Sequence, residues 1–382
     1  MPRNILVSAG EASGDLYAAL LVEELRRNWP DARFFGCTGP RMRRSGVETA
    51  VDASSLAVVG LVEVVSHIPR IYGHFRQLLR FVQRDRPDLA ILTDSPDFHL
   101  RLARKLHRRG IPVIYLVAPQ VWAWRKGRLR QMRRALNHVL CIFPFEERFF
   151  EDHGLPATYI GHPLAGLAKP ALPRTDFFRK HRFPLNRPLI AVLPGSRRGE
   201  AARHLPPLLD AVERLYREQA ASFVLPASAT AGVGFFEERI GGAPIKVIEG
   251  ENWDSIAHAD LALAASGTVT VEAALLGTPM VTFYKVTSIS WLLGRVLVRL
   301  PFYSMVNLIA GRAIVPELMQ SAMTGERLAG EARRLLGNPE ARARMRADLA
   351  EVAARLSPPS NPMARASAII QDLMEGQLTH VS

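Results

Sequence analysis

Short apolar runs, each followed by a stretch with helical periodicity, recur along most of the 382 residues. Alternation of this kind confines a chain to parallel sheets covered by helices on both faces. In the first half the runs 4–8, 33–37, 89–93, 113–117 and 139–143 read as strands, and 15–28, 71–84 and 98–109 as helices. Leu16, Leu20, Leu21 and Leu25 fall on one face of 15–28. Pro163, Pro170, Pro173, Pro184 and Pro188 then break the rhythm. It restarts with strands at 189–193, 222–226, 245–249, 261–265 and 280–283 and helices at 205–219 and 268–276. A long Arg- and Ala-rich helix at 326–355 and a last helix at 362–375 complete the chain. The expectation is an α/β chain with a Rossmann-like domain at 1–165, a linker at 166–188, a second Rossmann-like domain at 189–356 and a C-terminal helix at 357–382. Ligands of such folds lie in the cleft outside the carboxyl ends of the strands.

Net charge is the next constraint. The formal balance of +13 favours anionic partners. No nucleic-acid recognition motif accompanies it, so nucleic acid is not expected. Cys37 and Cys141 sit where strands end and read as buried free thiols of a reducing compartment. The apolar run 5–9 is too short for a signal peptide, and the run 290–300 is interrupted by Arg295 and Arg299. A cytoplasmic protein that meets membranes at their surface is expected.

The residues just past the strand ends carry the chemistry. Ala9-Gly10-Glu11-Ala12-Ser13-Gly14-Asp15 links the first strand to a helix, and its glycines allow close approach of a ligand. It is not a dinucleotide fingerprint, and a plain turn capped by Ser13 explains it equally well. Asp94 follows the strand 89–93 and can take a proton from an attacking hydroxyl, whereas Asp97 suits the cap of the next helix. Pro194-Gly195-Ser196-Arg197-Arg198 follows the strand 189–193, where backbone N–H groups and a guanidinium can fork onto phosphate. Ser266-Gly267-Thr268 opens a helix whose N-terminus favours an anion, and Glu272 one turn on can accept ribose hydroxyls or serve the helix start. The histidines have no metal-ligand spacing, and no serine-hydrolase elbow is present.

In order along the chain, SAGEASGD, GLVEVV, TDSPDF, APQVWAWRKGR, FPFE, YIGHP, LPGSRRGE, ASGTVTVEAALLGTPMV and NLIAGR resemble the lipid-A-disaccharide synthases from about Ile5 to Pro316. The resemblance implies a GT-B inverting glycosyltransferase that needs no metal or cofactor. It implies UDP-2,3-diacylglucosamine as donor, 2,3-diacylglucosamine 1-phosphate as acceptor, and a β-1,6-linked disaccharide phosphate plus UDP as products. Carried over by motif, Asp94 is the general base, and Glu11, Ser13 and Gly14 lie near the reacting sugars. Gly195, Ser196 and Arg197 meet the diphosphate, Ser266, Gly267 and Thr268 hold phosphate oxygens, and Glu272 holds the ribose. Asn307 reaches towards donor or diphosphate. The residues themselves leave open whether Asp94 or Glu11 is the base. Ser95 replaces a small apolar residue of the family pattern, and Arg198 is given no role.

Acylated substrates require contact with the anionic inner membrane on its cytoplasmic face. Two basic apolar segments suit it. One sets Ile68, Ile71, Phe75, Leu78 and Leu79 against Arg70, Arg76 and Arg80, and the other sets Trp291, Leu292, Leu293, Val296, Leu297 and Phe302 against Arg295 and Arg299. Alternatively one face packs on the core and the arginines snorkel. Self-association is compatible with this reading. A soluble UDP-sugar enzyme such as a UDP-N-acetylglucosamine 2-epimerase has a similar architecture, and a non-catalytic membrane adaptor on the same fold is a further alternative.

Overall fold

The computed structural model describes residues 3–53, 61–123, 127–218, 221–287, 291 and 300–379, without the side chains of 61–68 and 377–379. Leu89–Thr93, Leu189–Leu193 and Leu261–Ala265 are buried at every position. That is the mark of strands covered on both faces, and it explains why they read as unbroken apolar runs. By its contacts the chain divides into two units. The first comprises Met1–Pro163 with Leu356–Ser382, and the second Leu164–Arg355.

The first unit holds a seven-stranded parallel sheet. Its strands are β1 (Asn4–Ser8), β2 (Arg33–Thr38), β3 (Glu48–Asp52), β4 (Leu89–Thr93), β5 (Val113–Leu116), β6 (His138–Cys141) and β7 (Ala157–Tyr159), in the order β3-β2-β1-β4-β5-β6-β7. The second unit holds a six-stranded parallel sheet of β8 (Leu189–Leu193), β9 (Ser222–Ala227), β10 (Lys246–Glu249), β11 (Leu261–Ala265), β12 (Met280–Tyr284) and β13 (Glu317–Met319), in the order β10-β9-β8-β11-β12-β13. Both orders reverse direction at one place, between β1 and β4 and between β8 and β11. At such a reversal the loops leaving neighbouring strands part to opposite faces and leave a crevice at the carboxyl ends.

Several elements depart from the sequence reading. The helices Leu61–Arg84 and Arg198–Arg217 begin earlier than expected and contain Pro69 and Pro206-Pro207. The long helix expected at 326–355 is two, Gly325–Leu336 and Pro339–Leu356, and Asn338 Oδ1 accepts the Ala341 N–H at 2.9 Å where the second starts. The stretch 166–188 contains the helix Arg174–His181, with Phe177 and Phe178 buried. Asp254 Oδ1 accepts the N–H groups of Ala171 and Leu172 at 2.9 and 2.7 Å, so this stretch is part of the second unit's core. The helix Pro362–Thr379 belongs to the first unit. It buries Met363, Ala366 and Ile370 and accepts at Ser367 Oγ from Asn28 Nδ2 at 3.2 Å, on the helix Ala12–Asn28. Cys37 and Cys141 are buried and unpaired, and burial raises both thiols, Cys37 to about 12. Such thiols are unreactive.

Phe177→Ala should cost the second unit about 3–5 kcal/mol, the usual toll of emptying a buried phenyl site. Urea unfolding checks this. An unchanged midpoint would return 166–188 to the status of a loose connection.

Candidate functional site

Ser8 of β1 lies level with Leu92 of β4, so the loops leaving these strands meet. Asp94 projects its carboxylate into the loop after β1. Oδ1 accepts the Gly10 N–H at 2.8 Å and Oδ2 the Glu11 N–H at 2.9 Å. The approach leaves no room for a side chain at positions 10 and 14. A Cβ on Gly10 would lie 2.3 Å from Ser95 Oγ, and one on Gly14 only 1.8 Å from Asp94 Oδ2. Gly14 is buried, so its part in the site is to admit Asp94. Asp94 and Ser95 are both left-handed, with φ of 53° and 37°. For residues other than glycine this costs on the order of 1–3 kcal/mol each unless the surroundings enforce it. The Asp94 carbonyl accepts the Tyr115 hydroxyl and His99 Nδ1–H, the latter at 3.0 Å.

Burial pushes the Asp94 carboxyl from 3.8 up to about 7. The N–H groups of Glu11 and Gly10 and the Ser95 hydroxyl pull it down, and the Glu11 charge adds to the rise. A carboxyl poised near neutrality can take a proton from a hydroxyl.

The neighbouring candidates fall into place differently. Glu11 and Ser13 are exposed. Glu11, not Ser13, is the N-cap of the helix Ala12–Asn28, and no side-chain cap bond forms there. Asp97 does not cap either. The helix Pro96–His107 starts two residues earlier than expected, with Pro96 at its first position, so Asp97 falls in the first turn and pairs with Arg128. Asp15 is buried and accepts from the N–H groups of Gly39, Arg41 and Met42.

Sequence reasoning left three motifs without a role, and the structure joins them. Glu146 of FPFE is fully buried, and burial raises its carboxyl to about 7. It accepts Trp122 Nε1–H of APQVWAW at 2.9 Å and the N–H groups of Ile142 and Phe143. Phe143 packs on His162 of YIGHP, with ring centroids 5.5 Å apart. The one signal available was an acid set among aromatic residues.

In the second unit, Leu193 of β8 is level with Ala264 of β11, which brings the two phosphate-type loops together. Gly195 has φ 111°, and a Cβ there would meet Glu200 Oε2 at 2.5 Å. Ser196 and Arg197 are exposed, and Arg197 is the N-cap of the helix Arg198–Arg217. Arg198 turns away and donates from Nε to the Ala231 carbonyl at 3.1 Å. The missed residue here is His204. Wholly buried, it donates from Nδ1 to the Pro194 carbonyl at 2.8 Å and accepts at Nε2 from the Lys285 N–H at 3.0 Å, which ties the ends of β8 and β12. Ser266 donates its hydroxyl to the Tyr303 carbonyl at 2.7 Å, and Gly267 caps the helix Thr268–Leu275. Glu272 does not serve that helix start. Its Oε2 accepts Asn252 Nδ2–H at 2.7 Å and Trp253 Nε1–H at 2.8 Å, and burial raises its carboxyl. Asn307 corrects an expectation. It is completely buried and its amide is fully committed, with Nδ2 donating to the Val315 carbonyl and Glu317 Oε1, and Oδ1 accepting from Ile314 and Val315. No donor is left for a ligand, so Asn307 braces the segment 314–317.

The chain matches the family model described as lipid-A-disaccharide synthetase over residues 5–368. It is 70% identical to the lipid-A-disaccharide synthase of Solibacter usitatus (strain Ellin6076) over the full length of both. The chain belongs to the lipid-A-disaccharide synthetase family. Among solved structures it is similar to the glycotransferase of kitacinnamycin, with a TM-score of 0.64 at 17% identity over 98% of this chain and all of that one. It is also similar to the UDP-GlcNAc 2-epimerase of Neisseria meningitidis bound to UDP-GlcNAc, with a TM-score of 0.63 at 14% identity over 98% of this chain and all of that one. At these identities the likeness is one of fold, two parallel-sheet α/β domains of the GT-B kind, and it gives the epimerase reading no support in function.

Gly14→Ala should destabilise the protein by about 1–3 kcal/mol, because the Asp94 carboxylate has no room to yield. Gly330→Ala, at a helical position with open space around it, should instead stabilise by about 0.5–1 kcal/mol. Thermal melts of the two variants check the contrast, and equal shifts would refute the packing argument.

Proposed function

We propose that the chain transfers 2,3-diacylglucosamine from UDP-2,3-diacylglucosamine to 2,3-diacylglucosamine 1-phosphate, with inversion, releasing UDP. Family membership carries the reaction class. The observation that carries the mechanism is the Asp94 carboxyl, held near neutrality on two backbone N–H groups. Asp94 takes the proton from the acceptor's 6-hydroxyl as that oxygen bonds to the donor's anomeric carbon. The bond from that carbon to the diphosphate oxygen breaks, and the electron pair leaves with UDP. A single displacement with one base gives inversion, by the logic of inverting glycosidases. Negative charge grows on the diphosphate, and Gly195, Ser196, Arg197 and the start of the helix Thr268–Leu275 are the groups suited to meet it. Glu272 takes the ribose hydroxyls, with Asn252 and Trp253 orienting its carboxylate. Glu11 and Ser13, exposed beside Asp94, contact the sugars.

UDP release measured in detergent with and without the acylated acceptor tests this reading. Release should require the acceptor, and Asp94→Asn should lower turnover by roughly 10²–10⁴-fold while UDP still binds. The base works ionised, and its carboxyl is raised from 3.8 to about 7. The wild-type kcat/KM should therefore fall as pH drops through about 7. Full activity at pH 5, or in Asp94→Asn, would remove Asp94 as the base.

The chain also works at the anionic membrane surface on the cytoplasmic side. Among the described residues no helix is long and apolar enough to cross a membrane. Phe75, Leu78 and Leu79 pack on the core of the first unit, so the helix Leu61–Arg84 offers the surface its exposed Arg70, Arg76, Arg80 and Arg84 rather than that apolar face. Residues 292–299 of the second segment lie outside the described residues. Charge is the stronger support. Residues 98–145 hold eleven Lys and Arg and no Asp or Glu, and Arg101, Arg104, Lys105, Arg130, Arg133 and Arg134 are exposed. Each basic residue near an anionic bilayer contributes about 1 kcal/mol. Binding to phosphatidylglycerol vesicles should therefore be strong in flotation assays, absent with neutral vesicles, and reversed by salt. Equal binding to neutral vesicles would overturn a charge-driven contact.

A further inference from the structure

Asp94 is bound at both ends of its residue. Its carboxylate rests on the Gly10 and Glu11 N–H groups, with Asp94 and Ser95 in the left-handed backbone that turns it there. Two donors from separate elements converge on the Asp94 carbonyl. Tyr115 donates its hydroxyl from β5, and His99 donates Nδ1–H from the helix Pro96–His107 at 3.0 Å. A carbonyl oxygen only accepts, so the His99 proton lies on Nδ1, and Nε2 accepts from Ser8 Oγ at 2.8 Å, the last residue of β1. Both side chains are fully buried. Burial lowers the imidazole to about 4 and raises the phenol, so His99 stays neutral and Tyr115 keeps its proton throughout the working pH range.

We propose that His99 and Tyr115 are positioning residues for the transfer reaction, holding the left-handed turn at Asp94 and Ser95 so that the carboxylate stays seated on the Gly10 and Glu11 N–H groups and aimed at the acceptor hydroxyl. The inference rests on the reading of Asp94 as the base. Neither residue touches substrate. With one donor gone, the turn relaxes towards the ordinary backbone and the carboxylate leaves its amides. Two consequences follow. The base is displaced from the hydroxyl, which lowers kcat and leaves substrate binding alone. The ionised carboxyl also loses hydrogen-bond donors, so it titrates higher. The charged and titratable groups facing Asp94 are Glu11 from the loop after β1, Cys37 from β2, His99 and Tyr115, with the Asp97–Arg128 pair beyond. All except the one substituted are kept in each variant.

Tyr115→Phe, His99→Leu and His99→Asn test this in the full chain, beside Asp94→Asn. Asparagine can place an N–H near the position of Nδ1; leucine cannot. Tyr115→Phe and His99→Leu should lower kcat by roughly tenfold, with KM within about twofold. Their acid limb of kcat/KM should move up by roughly half a pH unit or more, so the loss is greater at pH 6 than at pH 8.5. His99→Asn should recover most of the rate and the wild-type limb. If Tyr115→Phe fails to fold, the two His99 variants carry the test. An inactive Asp94→Asn with unshifted pH profiles and unchanged kcat in Tyr115→Phe and His99→Leu would overturn the positioning role and leave the base intact. An active Asp94→Asn would overturn the base itself, and with it the premise of the inference.

Discussion

Two backbone N–H groups, those of Gly10 and Glu11, receive the Asp94 carboxylate, and much of the first unit is arranged around that contact. It requires β1 and β4 to be neighbours although eighty residues of chain lie between them, which is the doubly wound strand order. It requires glycine at positions 10 and 14, because a methyl group at either would strike the side chains of Ser95 or Asp94. It also requires a backbone turn that L-residues avoid, and this turn survives because Tyr115 and His99 hold its carbonyl. The resulting carboxyl is poised by opposition. Removal from water raises it, the amides lower it, and the balance leaves it close to neutral pH.

The second unit uses the same topological device with opposite electrostatics. At the β8–β11 reversal stand an exposed arginine and two helix starts, and the nearby carboxylate of Glu200 is packed against Gly195. An arrangement of this kind suits negative charge, as the first unit's suits a proton. His204 braces it from behind, as His99 braces the first, and each is a buried neutral imidazole with one N–H on a backbone carbonyl.

Much of this was legible in the sequence, for a physical reason. Strands buried on both faces are apolar along most of their length, so the bounds of Asn4–Ser8, Leu89–Thr93, Leu189–Leu193 and Leu261–Ala265 were readable residue by residue. The loops at their ends follow directly, and with them the positions of Asp94 and Arg197, and Glu272 lies one helical turn beyond. The edge strands Glu48–Asp52, Ala157–Tyr159 and Glu317–Met319 were not readable, since three to five half-exposed residues carry no periodicity. Two helix starts were misplaced in the same way. The expected starts at 71 and 205 lie beside Pro69 and Pro206-Pro207, whereas both helices begin earlier and run through these prolines. Contacts between distant residues were invisible. Nothing local to NLIAGR says that its asparagine is buried, nothing in FPFE says that its acid meets a tryptophan 24 residues earlier, and the apolar stripe at 71–84 gave no sign of whether core or membrane would cover it.

The commitment of Asn307 has a chemical consequence. Its Nδ2 lies 2.8 Å from Glu317 Oε1, and the same carboxyl also accepts the backbone N–H groups of Tyr303 and Ser304. Direct hydrolysis of that one side-chain amide would change a single heavy atom and leave the shape intact. It would nevertheless set two carboxyl oxygens at hydrogen-bond distance inside the protein, and one would have to bind a proton to remain. The clamp would become an acid pair, and the segment leading into β13 would loosen as the medium turned alkaline. Age, rather than mutation, is thus a route by which this brace could fail.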